Sequence, residues 1–311
     1  MTGSVALTQI LILFSVLVAG IFIKKAGYLK EDAEDTMSVL IVKLGLPCMI
    51  LASTNFPRTD QAVYDLYILL GLSIGFYLIS LLLGVSLAKL LKLKNNSATV
   101  FAALITFANI GFMGIPVAKA FWGEIGVFYT SIVNLIFTIT LWTLGVLLFN
   151  KNEKLNFRKL FNPGTVSAIA AIIMFTVGYR LPSIVYSSLN LGGALTVPLS
   201  MIMIGSLIAE RNILKVFSDY RLLIVSLLRL LIIPIITCII LHQLKVSVLL
   251  LNVFTVLSAM PSAALNAVFA REYNSDSIMA SEGIFLTTFL SVFTLPLIVM
   301  FTNWYITYFV K

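Results

Sequence analysis

Apolar residues run through this chain in ten long blocks, 4–23, 36–54, 64–88, 97–118, 125–149, 164–180, 188–209, 222–241, 247–270 and 278–302. Each is close to the roughly 20 residues an α-helix needs to cross a bilayer, and the short strict alternation of barrel strands is absent. The pattern predicts an all-α polytopic membrane protein of ten transmembrane helices. The polar stretch 150–163, NKNEKLNFRKLFNP, separates residues 1–149 from 164–311, with five blocks in each half. An odd number of spans per half inserts the two halves in opposite orientations, as two inverted five-helix repeats require. Prolines keep the same places: Pro47 and Pro198 lie in the second span of their halves, Pro116 and Pro261 in the fourth.

Two blocks are interrupted from within. Residues 107–118, FANIGFMGIPVA, and 258–268, SAMPSAALNAV, each set a proline and an asparagine near the middle of a run otherwise apolar enough to span. Backbone freed inside hydrocarbon is costly, so such a break predicts chain that is buried in protein or lines a wet cavity. Gly111 and Gly114 let the chain leave helical geometry. Pro116 and Pro261 suit the first turn of a new half-helix, where a missing N–H does no harm. Two half-helix N-termini aimed at one spot favour an anion there, and interrupted spans at corresponding places are the pattern of secondary transporters.

Polar residues inside other blocks add candidates. Lys43 lies roughly 10 Å along the helix from Thr36; it either snorkels to the polar face or stands near an anionic substrate. Arg229, two turns beyond Arg221, must be paired, snorkelled or turned to water. Asn134 needs a partner, on a neighbouring helix or on a substrate. Pro47 should kink its helix. Gly71 and Gly75, four apart, predict close helix contact.

Composition fits the pattern, with 60% hydrophobic and 11% charged residues. The net charge of +8 changes the picture only through its placement. Loops after the odd-numbered spans hold fourteen basic residues, from Lys24 and Lys25 to Arg271, against five on the other side, Arg58, Lys119, Arg180, Lys245 and Lys311. The positive-inside rule then sets the odd loops and the central loop in the cytoplasm and both termini outside. No loop is long enough for a basic nucleic-acid surface, so no nucleic-acid partner is expected. The first block has no positive charge before it and Lys24 and Lys25 after it, the reverse of a cleaved signal peptide. Cys48 and Cys238 read as small buried hydrophobes.

Catalytic and cofactor chemistry is missing. No HExxH, Gly-rich phosphate loop or nucleophile elbow occurs, so neither an enzyme nor a bound cofactor or metal is expected. No Asp or Glu falls near the middle of a span, which favours uniport over ion coupling.

NIGFMGIPV in span four, FNPGTVSA opening span six, VPLSMIMIGSLIA in span seven and AMPSAALNAVFAREYNSD running into span ten resemble the motifs of the auxin efflux carrier family. That family includes plant PIN-formed carriers and bacterial malate or malonate permeases, and the likeness is closest to the bacterial members. The resemblance covers essentially the whole chain and implies broken spans four and nine that cross. It implies a scaffold of spans 1, 2, 6 and 7 with a homodimer interface, and an elevator-like transport domain of spans 3–5 and 8–10 in a plasma membrane. Carried onto this sequence, Asn109, Gly114, Pro116, Pro261, Ser262 and Asn266 would line a site for a small organic anion, faced by residues around Pro47. In that reading the Asn109 side chain and N–H groups after Pro116 and Pro261 hold a carboxylate, Asn266 follows, and Lys43 and Arg229 are reserves for charge compensation. The asparagines can equally cap the broken backbone. A sodium- or proton-coupled symporter of the bile-acid type shares the architecture, and a non-transporting membrane receptor is a further alternative. The long hydrophilic central loop of the plant carriers is replaced here by about fourteen residues.

Overall fold

Long runs of Leu, Ile, Val and Phe with few breakers produce helices, and the breakers that do occur mark where those helices bend or end. The computed structural model describes residues 3–150, 157–209 and 216–309; Lys151, Lys154, Arg211, Lys215 and Lys311 of the charge count, and most of the central connection, lie outside them. The helices are α1 Gly3–Lys25, α2 Asp32–Ala52, α3 Asp60–Leu90, α4 Asn95–Thr106, α5 Ile110–Phe149, α6 Pro163–Thr176, α7 Ser183–Ala209, α8 Tyr220–Gln243, α9 Val248–Ser258, α10 Leu265–Glu272 and α11 Ser277–Phe309. Among the described residues, α2, α3, α5, α7, α8 and α11 are long and apolar enough to cross a membrane, and α4, α6 and α9 are shorter apolar helices. The protein is an all-α polytopic membrane protein. Residues 110–149 form one helical stretch, turned in its course at Gly123 (φ 60°, ψ −137°).

Three prolines follow a widened turn. A π-helical turn at Ile41–Gly45 precedes Pro47, another at Ile110–Gly114 precedes Pro116, and a third at Leu228–Ile232 precedes Pro234. Proline removes one i−4 hydrogen bond and its ring presses on the turn before it, and one wide turn accommodates both effects. The kink expected at Pro47 takes this form.

Helix ends carry a second regularity. Gly27, Lys92, Gly178, Lys245 and Asn274 all have positive φ, and each closes its helix with the same pair of bonds. The N–H of Gly27 donates to Lys24 and that of Tyr28 to Ile23; Gly178 and Tyr179 repeat this on Phe175 and Met174. Lys92 and Leu93 do so on Lys89 and Ala88, Lys245 and Val246 on His242 and Leu241, and Asn274 and Ser275 on Arg271 and Ala270. These are Schellman caps, which satisfy the last carbonyls of a helix by a left-handed residue just past its end.

Contacts divide the chain into two compact units. The first comprises residues 1–70, 110–135 and 161–210. In it α1 lies along the second part of α7, and Gly20 faces Ile202 while Gly205 faces Leu17 so closely that a Cβ at either would collide with the facing backbone. The end of α2 packs on α6 and on the start of α7, where a Cβ at Gly193 would come within 2.9 Å of the Met49 backbone. Lys24 pairs with Glu34 at 2.7 Å.

The second unit comprises residues 71–109, 136–160 and 211–311. Here α11 packs against α4, α8, α9 and α10. Gly84 is the close-contact glycine of α3, with a Cβ there reaching 2.9 Å from Ala102. Gly71 and Gly75, expected in that role, have nothing within 4 Å of a Cβ. The helix pair meets one turn or more further along than their spacing predicts.

Candidate functional site

The two interrupted spans meet backbone to backbone. Helix α4 ends at Thr106, and Phe107 turns extended (φ −95°, ψ 104°); α9 ends at Ser258 and helix resumes at Leu265. The unwound pieces pair antiparallel at Ala108 and Ser262. Asn109 N–H donates to the Pro261 carbonyl at 2.7 Å, and Ala263 N–H donates to the Phe107 carbonyl at 2.8 Å. Each break thereby supplies the partners that the other has lost, which is how exposed backbone survives in a dry interior.

Side chains complete the accounting. Ser262 Oγ donates to the Leu104 carbonyl at 2.7 Å, and its own N–H donates to Thr287 Oγ1 at 3.2 Å. Asn266 Nδ2 donates to the Phe107 carbonyl at 3.3 Å, the capping role that the sequence left open for it. Its Oδ1 is buried and has no hydrogen-bond partner. Asn109 is buried as well.

Arg229 is the centre of this arrangement. It is fully buried, its Nε donates to the Met260 carbonyl at 3.0 Å, and its Nη1 donates to the Ile105 carbonyl at 3.1 Å. One guanidinium thus ties the last turn of α4 to the break after α9. Its carbon lies 5.6 Å from the Phe76 ring centre, in cation–π geometry. The C-terminal ends of α4 and α9, which carry the negative poles of their dipoles, come to this cation. Nη2 has no partner. Among the described residues no carboxylate pairs with it, so carbonyls, an aromatic face and helix ends hold the charge.

The remaining sequence candidates belong to the first unit. Gly111 is half-buried, and Gly114 and Pro116 are buried in α5; Pro116 follows the π turn that opens α5 at Ile110, and Pro261 stands four residues before α10, so neither occupies the first turn of a half-helix as the sequence led one to expect. Asn134 Oδ1 would lie 3.6 Å from a Cβ on Gly111. Pro47 is half-buried on α2, and Lys43 is exposed on the same helix. Asn109, Pro261, Ser262, Asn266 and Arg229 are therefore brought together within the second unit.

Sequence reasoning passed over two features. One is the bridging geometry of Arg229, signalled only by an arginine deep in an apolar block. The other is Asp65, 2% exposed, which accepts from Gln61 Nε2 at 2.7 Å and from Tyr129 Oη at 2.9 Å. Its signal was a carboxylate already past the first turn of α3.

Comparison with known proteins agrees with this architecture. A family model described as membrane transport protein matches residues 5–157 and 150–299. An uncharacterized transporter of Methanocaldococcus jannaschii is 27% identical over 301 residues, covering 93% of this chain and 96% of the relative. An uncharacterized transporter of Methanothermobacter thermautotrophicus is 29% identical over 289 residues, 89% of this chain and 92% of the relative.

Proposed function

The chain belongs to the membrane transport protein family, and from that premise we propose that it is a secondary permease of a small organic anion, with its substrate site at the crossing of the two broken spans. The observation that carries this is the antiparallel bridge of Ala108 and Ser262. Continuous helices would pack a bundle with less strain, and a pair of breaks held open by each other's backbone, by Arg229 and by Asn266 is worth its cost where polar backbone must meet a solute. In this reading Asn109 binds a carboxylate such as that of malate, malonate or an auxin-like acid, while the N–H groups after Pro261 remain on Thr287 Oγ1 and the Phe107 carbonyl. Spans 3–5 and 8–10 move as an elevator against a homodimeric scaffold, and transport is uniport. Arg229 fixes the break and supplies the positive field, while Lys43 stays at the polar face.

Asp65 favours one alternative. A buried carboxylate bonded by Gln61 and Tyr129 is a group through which a proton or sodium ion can be coupled, making the carrier a symporter.

Purified protein in proteoliposomes, challenged with malate, malonate, other short carboxylates and indole-3-acetate, tests both. Uniport predicts a current for one of these anions without any ion gradient, reduced at least about tenfold in Asn109→Ala, the worth of one charge-assisted hydrogen bond. A current that appears only with a proton or sodium gradient, and is lost in Asp65→Asn, establishes the symporter. Silence across the panel removes the carboxylate reading.

A further inference from the structure

The crossing of the broken spans is braced by a third element, α11. This helix comes against the last turn of α4 at Gly283, where a Cβ would collide with the Leu104 side chain. One turn later stands Thr287, fully buried. Its hydroxyl donates to carbonyls of its own helix, Gly283 at 2.8 Å and Ile284 at 3.1 Å, which leaves its oxygen able to accept from another element. It accepts the Ser262 N–H at 3.2 Å.

That N–H belongs to the Pro261–Ser262 peptide, a single plane whose two polar groups point opposite ways. One of them goes to Thr287; the other, the Pro261 carbonyl, accepts the Asn109 N–H at 2.7 Å. Rotation of this plane breaks both bonds together. The flanking donors are committed elsewhere, the Met260 N–H to Leu257, the Ala263 N–H to Phe107 and Ser262 Oγ to Leu104. Without the Thr287 hydroxyl the Ser262 N–H would be an unsatisfied donor in a dry interior. Thr288, the next residue of α11, gives the contrast. Its hydroxyl is buried too and, among the described residues, bonds to the Ile284 carbonyl of its own helix and to no other element.

We infer that Thr287 is a positioning residue for the substrate site at the crossing, an inference that rests on the permease reading above. Thr287 acts through the peptide and not on the solute. Held from α11, the Pro261–Ser262 plane keeps its carbonyl on the Asn109 N–H, and that bond sets where the Asn109 side chain stands. The same contact turns the Ser262 N–H toward α11 and away from an anion, so Asn109 is left as the donor that meets it. A threonine suits this task, because β-branching and the bond to Gly283 restrict its rotamer and fix the accepting oxygen in place.

The test uses the full chain and three variants: Thr287→Val, which keeps the shape and removes the hydroxyl, Thr287→Ser, which restores it, and Thr288→Val as the control. Hydrogen–deuterium exchange in detergent, read by mass spectrometry on peptides covering 107–110 and 259–265, follows the break without any substrate. Uptake of malate and malonate into proteoliposomes, at a temperature where every variant stays folded, follows the site. Thr287→Val should speed exchange in both peptides and raise KM for the transported anion, each by about fivefold, the worth of one neutral hydrogen bond, with the maximal rate held. Thr287→Ser should return both readings toward the parent, and Thr288→Val should match the parent in both. Unchanged exchange in Thr287→Val overturns the inference whatever the uptake, because the peptide plane then does not depend on the hydroxyl. Faster exchange with an unchanged KM overturns it as well, as does an equal loss in Thr287→Ser or Thr288→Val. If the parent carries neither anion, the carboxylate reading fails and the inference falls with it, and faster exchange in Thr287→Val then shows that the contact itself stood.

Discussion

At the scale of single residues, Arg229 decides how the break is paid for. Its two bonds go to Met260 and Ile105, carbonyls that helices would have used had they continued. Replacing it with methionine keeps the apolar volume and removes both donors. At about 1–3 kcal/mol for each buried carbonyl left unsatisfied, Arg229→Met should lose about 2–6 kcal/mol of stability, read as a large fall in thermal unfolding temperature in detergent. Arg229→Lys should recover only part of it, because one ammonium cannot present the fork that spans two acceptors. An unchanged melting temperature in the methionine variant would show that the carbonyls find other partners. The sequence made Arg229 visible as an expensive residue but not as a bridge, because its acceptors are carbonyls, which every residue has. Asp65 was hidden for a related reason: Gln61 is four residues away on the same helix, but Tyr129 is distant in the chain, and no spacing announces it.

At the scale of elements, breaks and ends were legible and lateral contacts were not. Proline and glycine act on the backbone they belong to, so Pro47, Pro116 and Pro261 marked irregular helix directly. Which glycine receives a neighbour depends on where two helices cross, a property of the pair. Gly71 and Gly75 have the spacing of a contact and lie open, whereas Gly20, Gly84 and Gly205 bear the close approaches. This difference predicts opposite signs for the same substitution. Gly75→Ala adds a methyl group in open space and gains helix propensity, up to about 1 kcal/mol. Gly205→Ala drives a methyl group into the Leu17 backbone, and overpacking of that kind costs about 1–3 kcal/mol or more. Thermal unfolding of the two variants should move in opposite directions from the parent. A shared rise would mean that α1 and α7 can part without loss, and a shared fall that Gly75 does not lie in open space.

At the scale of the whole molecule, residues with positive φ recur at one spacing. The six described residues with positive φ are Gly27, Lys92, Gly123, Gly178, Lys245 and Asn274, and they fall into three pairs about 150 residues apart. Gly27 and Gly178 end the first span of each predicted half, Lys92 and Lys245 the third, Gly123 and Asn274 the fourth. The spacing of Pro47 and Pro198 is the same to within a few residues. A left-handed residue is rare outside glycine, so lysine at both third-span ends reflects a shared backbone, since the side chain itself does not favour that conformation. Two five-span halves inserted in opposite directions, as the sequence predicts, would set equivalent residues on opposite faces of the membrane. Lys92 and Lys245 are both exposed and make that testable. In a background with Cys48 and Cys238 replaced by serine, Lys245→Cys should react with a membrane-impermeant maleimide in intact cells, and Lys92→Cys only after permeabilisation. The sides follow from the fourteen basic residues of the odd loops against five on the other side. Labelling of both from the same side would break the inverted repeat, and with it the symmetry that brings span four to span nine. Labelling with the two sides exchanged would keep the repeat and reverse only the orientation, leaving the crossing and its chemistry as they stand.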